Sequence, residues 1–480
     1  MTDRNHISAP GTTRTFHRMK VLAVLLLSMG MSLMAISSVN VALPTIQEGL
    51  GATDQDLQWV LAGYALAFGV TLIPAGRAGD VLGRGSWFIV GAALFTVASL
   101  ACGLAPNAFI LNAARLVQGV GAGLFSPQVT GMIQQYFSGG GRAKAFALLG
   151  VTISASVAAG PVIAGAIIEA AGPETGWRWA FFGYLPLGLA AVVLGLRWFP
   201  FVKERRRRLG LDATAGRVDL DPVGSLLITA SVVAVMYPFM ARQSWAWWLL
   251  PLAAVLILAW WLWERRYKAA GREPLVDLEL FRYRSFRNGL LVSGAAFLGL
   301  TSTFAVVAIF LQNGLGVDAL RTGLLGLPNA VLSAVASIYT VRFVMTRGRR
   351  LVVFALALMV TGALLSILVA WGIGEFGWSF WWLSATLGLN GAAMGAFASA
   401  NQTLSMQDVP VRHGGTASGL KQTVERITTA LGNAAITGVF FAVAATGSWT
   451  LAFMGAFTGI AACLLLALVL GIMDDRQHAR

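Results

Sequence analysis

The chain has 480 residues, of which 57% are hydrophobic and only 12% charged, far below the roughly 25% charged content of a soluble globular domain. Water is therefore excluded as its main solvent. A net charge of +14 would raise the question of nucleic acid in a soluble protein, but here the basic residues gather in loops on one side of the hydrophobic map, so nucleic acid is not implied.

Hydrophobic stretches of about 18 residues or more recur from Val21 to the end, and each can cross a hydrocarbon core roughly 30 Å thick as a helix. The runs are continuous and do not alternate with period two, which excludes a β-barrel. Fourteen spans are predicted, at 21–43, 57–76, 86–105, 108–133, 144–168, 179–199, 222–240, 245–263, 288–311, 322–343, 351–373, 378–404, 415–443 and 448–472. The expectation is an all-α membrane protein.

Arg4, Arg14, Arg18 and Lys20 precede the first span, and Lys203 with Arg205 to Arg208 follows the sixth. Arg265, Arg266, Lys268, Arg272, Arg282, Arg284 and Arg287 follow the eighth, and Arg347, Arg349 and Arg350 the tenth. Only Arg178, Arg242 and Arg321 fall on the opposite side, so the positive-inside rule puts both termini in the cytosol and the chain in the cytoplasmic membrane. The stretch Lys203 to Arg208 reads as an orientation signal before it reads as a contact with anionic lipid.

Cys102 and Cys463 sit inside apolar spans and say nothing about redox compartment. The first span is too long for a signal-peptide core and has no small-residue cleavage site before Asn40, so it is expected to be retained. Tryptophans cluster at predicted interfaces, at Trp177 and Trp179, Trp245 to Trp248, Trp260 to Trp263 and Trp378 to Trp382, as aromatic belts do.

An internal echo links the two ends of the map. Ile46-Gln47-Glu48-Gly49-Leu50-Gly51 follows the first span and Leu311-Gln312-Asn313-Gly314-Leu315-Gly316 the ninth. The spacing equals six spans plus an extra pair, which suggests two related halves with an insertion between them. The expected organisation is a tail at 1–20, a six-helix bundle at 21–199, a basic loop at 200–221, an inserted helix pair at 222–263, a loop at 264–287, a second six-helix bundle at 288–472 and a tail at 473–480.

After the second span comes Gly76-Arg77-Ala78-Gly79-Asp80-Val81-Leu82-Gly83-Arg84. Glycines let such a loop turn tightly and let helices approach, Asp80 can accept from a helix N-terminus, and Arg84 can pair across the bundle. A plain charged hairpin turn is the bland alternative. Arg115, within the fourth span, must face a cavity or a partner, because an unpaired guanidinium there costs several kcal/mol. Fixing helix packing through carbonyls is its structural alternative. Gln118 falls on the same face and can share a polar pocket with it. Gly160-Pro161 inside the fifth span removes a backbone hydrogen bond and permits a bend or a close crossing.

The loop Gly76 to Arg84 closely resembles the signature loop of the major facilitator superfamily, and the resemblance extends along nearly the whole chain to the fourteen-helix drug–proton antiporter family. Asn40-Val41-Ala42-Leu43-Pro44 ends the first span as in that family, and Trp59 with Tyr64 opens the second similarly. Arg115-Leu116-Val117-Gln118-Gly119 resembles the buried-arginine motif, and Gly160-Pro161 with Gly165 the exporter motif. Trp177-Arg178-Trp179, Glu273-Pro274-Leu275 through Phe281, and Gly415-Thr416-Ala417-Ser418-Gly419-Leu420 look like the family too.

The resemblance implies a fold of two pseudo-symmetric six-helix bundles plus two central helices. It also implies export of lipophilic small molecules, drugs or lipids by proton antiport and alternating access. It has no cofactor. The implied cavity residues are Asn40, Trp59, Tyr64, Arg115, Gln118 and Arg426, with Arg115 and Glu425 for proton coupling and Gly76, Asp80, Gly83 and Arg84 for the cytosolic gate. Substrate and protons are the expected partners, with membrane lipid around a monomer. Export of an endogenous lipid or metabolite is the alternative within transport, and a transport-inactive sensor or membrane-embedded enzyme a remote one.

Three departures stand out. Many relatives carry an acidic residue a few positions before the Asn40 run, where this chain has Ala35. Val81 replaces a basic residue after Asp80, and the equivalent loop Tyr339 to Arg350 lacks the aspartate. The strong acidic candidate is then Glu425, in the thirteenth span with Lys421 and Arg426 nearby; it reads equally as a proton carrier or as half of a closed salt bridge with Lys421. His6, His17, His413 and His478 have no metal-ligand spacing, and no phosphate-binding loop or serine nucleophile motif is present, so active transport would draw on a gradient.

Overall fold

In lipid every backbone N–H and C=O must be satisfied within the chain, and long apolar runs do this as helices. The computed structural model describes residues 6–8, 11–172, 174–208, 219–241 and 243–479. Arg4, Arg242 and residues 209–218 of the predicted basic loop lie outside the described residues.

The tail is not wholly irregular: β1 (His6–Ser8) and β2 (Thr15–His17) pair antiparallel, with Ile7 opposite Phe16. The first predicted span is split into α1 (Arg18–Ser37) and α2 (Val39–Leu50). Pro44 has no N–H to return to Asn40, and the Val41 N–H closes a tighter turn on Ser38 O at 3.2 Å. The Asn40 to Pro44 run thus lies within α2, and the backbone at Ser38 between the two helices is itself helical, with φ −68° and ψ −33°.

Helix α3 (Asp54–Leu82) starts at a capping box in which Thr53 Oγ1 accepts from Asp56 N at 3.2 Å and Asp56 Oδ2 from Thr53 N at 3.0 Å. Next come α4 (Arg84–Leu104) and α5 (Ala108–Tyr136), the latter capped by Asn107 Oδ1 on Ile110 N at 2.9 Å. After α6 (Gly139–Ala171), the sixth span is built from α7 (Gly176–Phe182) and α8 (Tyr184–Trp198). The short α9 (Val202–Arg208) carries the basic run, and the seventh and eighth predicted spans form as α10 (Pro222–Ala241) and α11 (Leu249–Ala269).

The ninth span comprises α12 (Arg284–Leu300), α13 (Ser302–Ile309) and a π turn at Phe310–Gly314. Beyond α14 (Ala319–Leu325), the tenth and eleventh spans run together as α15 (Leu327–Phe376), kinked at Arg347 where φ is −133° and ψ 25°. The chain ends with α16 (Trp382–Ser405), α17 (Gly414–Ala444) and α18 (Trp449–Ala479). Thirteen helical stretches among the described residues are long and apolar enough to cross a membrane. The remaining predicted span forms as α16, where Asn390, Asn401 and Gln402 sit among glycines, alanines and serines, and it is not one of those thirteen.

The chain divides into two compact units. The first comprises Met1–Ser138, Ala159–Arg282 and Val409–Thr423, and the second Gly139–Ala158, Tyr283–Asp408 and Val424–Arg480. Helices α10 and α11 thus belong to the first unit, whose core includes Val60, Cys102, Leu111, Trp177 and Phe181. The second unit is built around Phe310, Phe397, Phe440, Phe453 and Phe457.

Candidate transport site

A cavity of about 340 Å³ lies within the first unit. Its wall is formed by Ile36 and Asn40 from α1 and α2, Gln58, Leu61, Ala62, Tyr64 and Ala65 from α3, Arg115 from α5, and Phe239 and Met240 from α10. Arg115 lies seven residues into α5, about 10 Å along its axis at 1.5 Å per residue, and is only 1% exposed. Its Nε donates to Val60 O at 2.9 Å and its Nη1 to Gln118 Oε1 at 2.6 Å, while Gln118 Nε2 donates to Ser99 Oγ at 2.7 Å. The Tyr64 ring faces the guanidinium, with Cζ 4.4 Å from its centroid.

Gly119 is what lets α5 come this close. A Cβ there would stand 2.4 Å from Tyr64 O on α3, a distance no side chain tolerates. Of the residues expected in the cavity, Asn40, Tyr64 and Arg115 line it, and Gln118 sits behind Arg115 as its partner. Trp59 instead lies against Tyr237 of α10, the rings tilted with centroids 5.9 Å apart, and Arg426 belongs to the second unit. Gln58, Phe239 and Met240 were not foreseen. Gln58 Nε2 donates to Met240 O and ties α10 to α3; a lone glutamine entering an apolar span was the signal for it, whereas nothing marks Phe239 or Met240 in the sequence.

The glycine-rich loop forms a second cluster, also in the first unit. Asp80 Oδ1 accepts from Gly415 N at 2.9 Å, and Oδ2 accepts from Thr416 N at 2.8 Å and Thr416 Oγ1 at 3.0 Å. The carboxylate thus caps the first turn of α17, where backbone N–H groups have no helical partner. Arg84 Nη2 reaches Asp80 Oδ1 at 2.7 Å, and its Nη1 donates to Gly131 O at 2.7 Å and Gln135 Oε1 at 3.1 Å. Gly76 makes room for this: a Cβ there would lie 2.4 Å from Gly415 O. Gly83, with φ 122°, is the break between α3 and α4.

Gly160 plays the same part on α6, where a Cβ would stand 2.1 Å from Ser37 Oγ. Pro161 is carried inside the unbroken α6, and Gly165 meets only Val41 at 3.9 Å. The motif is thus a place of close helix approach.

Glu425 lies on the second unit's part of α17, about 16 Å from the helix start at 1.5 Å per residue. It is half-buried, and Ser293 Oγ donates to its Oε1. Lys421, four residues earlier, is buried in the first unit's part of the same helix.

A further charged cluster escaped sequence reasoning. Asp221, buried at the start of α10 with φ 44°, accepts from Gly224 N at 2.9 Å and Trp263 Nε1 at 2.8 Å through Oδ1, and from Leu275 N at 3.3 Å through Oδ2. Glu264 of α11 is equally buried; the Leu275 and Val276 N–H groups and the Trp260 indole face it, yet neither of its oxygens completes a well-formed hydrogen bond. A methyl on Gly224 would stand 2.3 Å from Asp221 Oδ2 and 3.0 Å from Glu264 Oε1, so both carboxyls close on one spot. Arg77 of the signature loop reaches this region through Asp219 O at 3.1 Å and Glu273 Oε2 at 2.9 Å.

The number of long apolar helices marks a multi-pass membrane protein, and the first unit holds a small cavity with a buried cation in its wall. The Major Facilitator Superfamily profile matches residues 25–433, and the chain belongs to that superfamily; it is a transporter and not an enzyme. It is 31% identical over 440 residues to the probable actinorhodin transporter of Streptomyces coelicolor, covering 90% of this chain and 74% of the relative. It is 29% identical to the multidrug resistance protein Stp of Mycobacterium tuberculosis (strain CDC 1551 / Oshkosh), covering 89% of this chain and 77% of that protein. Among solved structures, the human organic anion transporter MFSD10 superposes with a TM-score of 0.69 at 16% identity, over 94% of this chain and 99% of that one.

Proposed function

We propose that this protein is a secondary exporter of lipophilic small molecules in the cytoplasmic membrane, with both termini cytosolic, exchanging substrate for protons by alternating access. The observation that carries the reading is the cavity of about 340 Å³ with Arg115 in its wall, a small pocket of mostly apolar lining with one convergent charged group. Relatives of 28 to 31% identity that cover most of the chain are named as an actinorhodin transporter, a multidrug resistance protein and a tetracenomycin C resistance and export protein. In this reading Asn40, Tyr64 and Arg115 contact substrate, with Trp59 and Gln118 behind them. Arg115 and Glu425 serve charge coupling, and Asp80 with Arg84 holds the cytosolic gate that Gly76 and Gly83 shape.

Reconstitution in liposomes with an imposed pH gradient is the test. Uptake of a lipophilic dye against its concentration gradient, collapsing when a protonophore is added, is the expected result. Absence of flux across a broad panel of lipophilic compounds in protein that folds normally would overturn the reading.

A further inference from the structure

We propose that the cavity beside Arg115 takes an amphipathic organic anion, its acid group on the guanidinium and its apolar body against Ile36, Leu61, Phe239 and Met240. The proposal rests on the exporter reading only in treating this cavity as the substrate site. Arg115 is 1% exposed, yet no carboxylate among the described residues pairs with it. Its partners are a backbone carbonyl at 2.9 Å, the Gln118 amide oxygen at 2.6 Å and the face of Tyr64. All three are neutral. They satisfy Nε and one N–H of Nη1, and they leave the charge itself uncompensated.

A buried cation without a counter-charge is costly, and truncating or neutralising a neighbour does not remove that cost. A ligand carrying negative charge does remove it, whereas a cation adds a like charge at close range in a medium that screens poorly. A planar acid matches the guanidinium fork better than any point charge, because two parallel N–H groups can meet both oxygens. The rest of the wall sets the other half of the specificity. Ile36, Leu61, Ala62 and Ala65 offer no hydrogen bond from their side chains, and α10 brings Phe239 and Met240, a ring and a polarizable thioether suited to an aromatic body. The inserted helix pair is therefore part of the recognition surface, held there by Gln58 Nε2 on Met240 O.

The test uses three probes of one shape and different charge, 1-naphthoate, 1-naphthamide and 1-naphthyltrimethylammonium, measured by equilibrium dialysis on the full chain in nanodiscs with empty nanodiscs as blank. At neutral pH naphthoate is expected to bind at least about tenfold tighter than the ammonium, with the amide between them. Arg115→Gln should erase the advantage of naphthoate over the amide, and Phe239→Ala should weaken all three together. Equal binding of the three, or preference for the ammonium, by the unaltered protein would overturn the proposal whether or not Arg115→Gln folds. Naphthoate affinity untouched by Phe239→Ala would overturn the placement of its ring.

Transport separates this idea from the exporter reading. Naphthoate bound in the expected order, by protein that moves no compound of the lipophilic panel under a pH gradient in liposomes, leaves the anion site standing and sinks export. Gradient-driven movement of the ammonium in preference to naphthoate does the reverse.

Discussion

Arg84 holds Asp80 at 2.7 Å, and Asp80 in turn takes the first N–H groups of α17 through both of its oxygens. Both side chains are buried. Removing one partner of a buried pair leaves the other charge uncompensated, which typically costs about 3 to 5 kcal/mol. Asp80→Asn is therefore expected to lower the thermal unfolding midpoint in detergent and to suppress export. Wild-type stability in this variant would mean that Arg84 finds enough support in Gly131 O, Gln135 and Val411 O.

Gly119→Ala tests the close approach that brings Arg115 to Tyr64. The added methyl would meet Tyr64 O at 2.4 Å, and overpacking of this kind costs about 1 to 3 kcal/mol when the backbone has to move. Lower stability with weakened substrate binding is expected. Gly140→Ala, where a Cβ meets nothing within 4 Å, is the control and should leave both unchanged.

The carboxyl pair at the start of α10 gives an asymmetric prediction. Asp221 accepts three N–H groups, so Asp221→Ala orphans buried donors and should destabilise by about 2 kcal/mol or more. Glu264 makes no well-formed hydrogen bond among the described residues, and Glu264→Gln removes a carboxyl from beside another. Its unfolding midpoint should stay level or rise; a large fall would show that the Glu264 charge itself is needed.

Glu425→Gln keeps the shape of the side chain and its contact with Ser293 while removing the titratable group. Gradient-driven transport should disappear, while exchange of labelled for unlabelled substrate without a gradient continues. Coupling that survives the substitution would move the proton site elsewhere.

One acid-side effect is expected in the loop after α11. Burial works to raise the Asp277 carboxyl, but it is outweighed by the Lys268 ammonium at 2.8 Å and the Glu279 N–H at 3.0 Å, which hold it below its ordinary value of 3.8. A depressed folded pKa stabilises at pH above the ordinary value, and that stabilisation is lost as pH falls through the folded one. Between about pH 6 and pH 3 the unaltered protein should lose more of its unfolding midpoint than Asp277→Asn does, by a small margin that shrinks with salt. Parallel curves would show that the pair contributes nothing.

Much of this molecule was legible before any coordinates. The spans follow from hydrophobic length, which lipid enforces without reference to neighbours, and thirteen of the fourteen meet the same test as helices. The glycine and charge pattern from Gly76 to Arg84 pointed to a loop that receives a helix end, because glycine spacing and a lone buried carboxylate have few other uses. Arg115 announced itself as a cation where none is cheap. The tightened turn in which Val41 N–H meets Ser38 O was not legible, since the backbone stays helical through Ser38 and no glycine or proline marks the place.

What the sequence by itself determined is therefore the solvent, the helices and the identity of the charged residues that must find partners. Only the tertiary structure decided who those partners are. Arg115 meets Gln118 on its own helix and no carboxylate among the described residues, and its cavity takes part of its wall, Phe239 and Met240, from α10 more than a hundred residues away. Asp221 and Glu264 converge on Gly224 from opposite ends of a hairpin. Such meetings are set by the angle and depth at which helices pack, and those are fixed by glycines, bulky rings and kinks acting across the whole unit, so no local pattern encodes them.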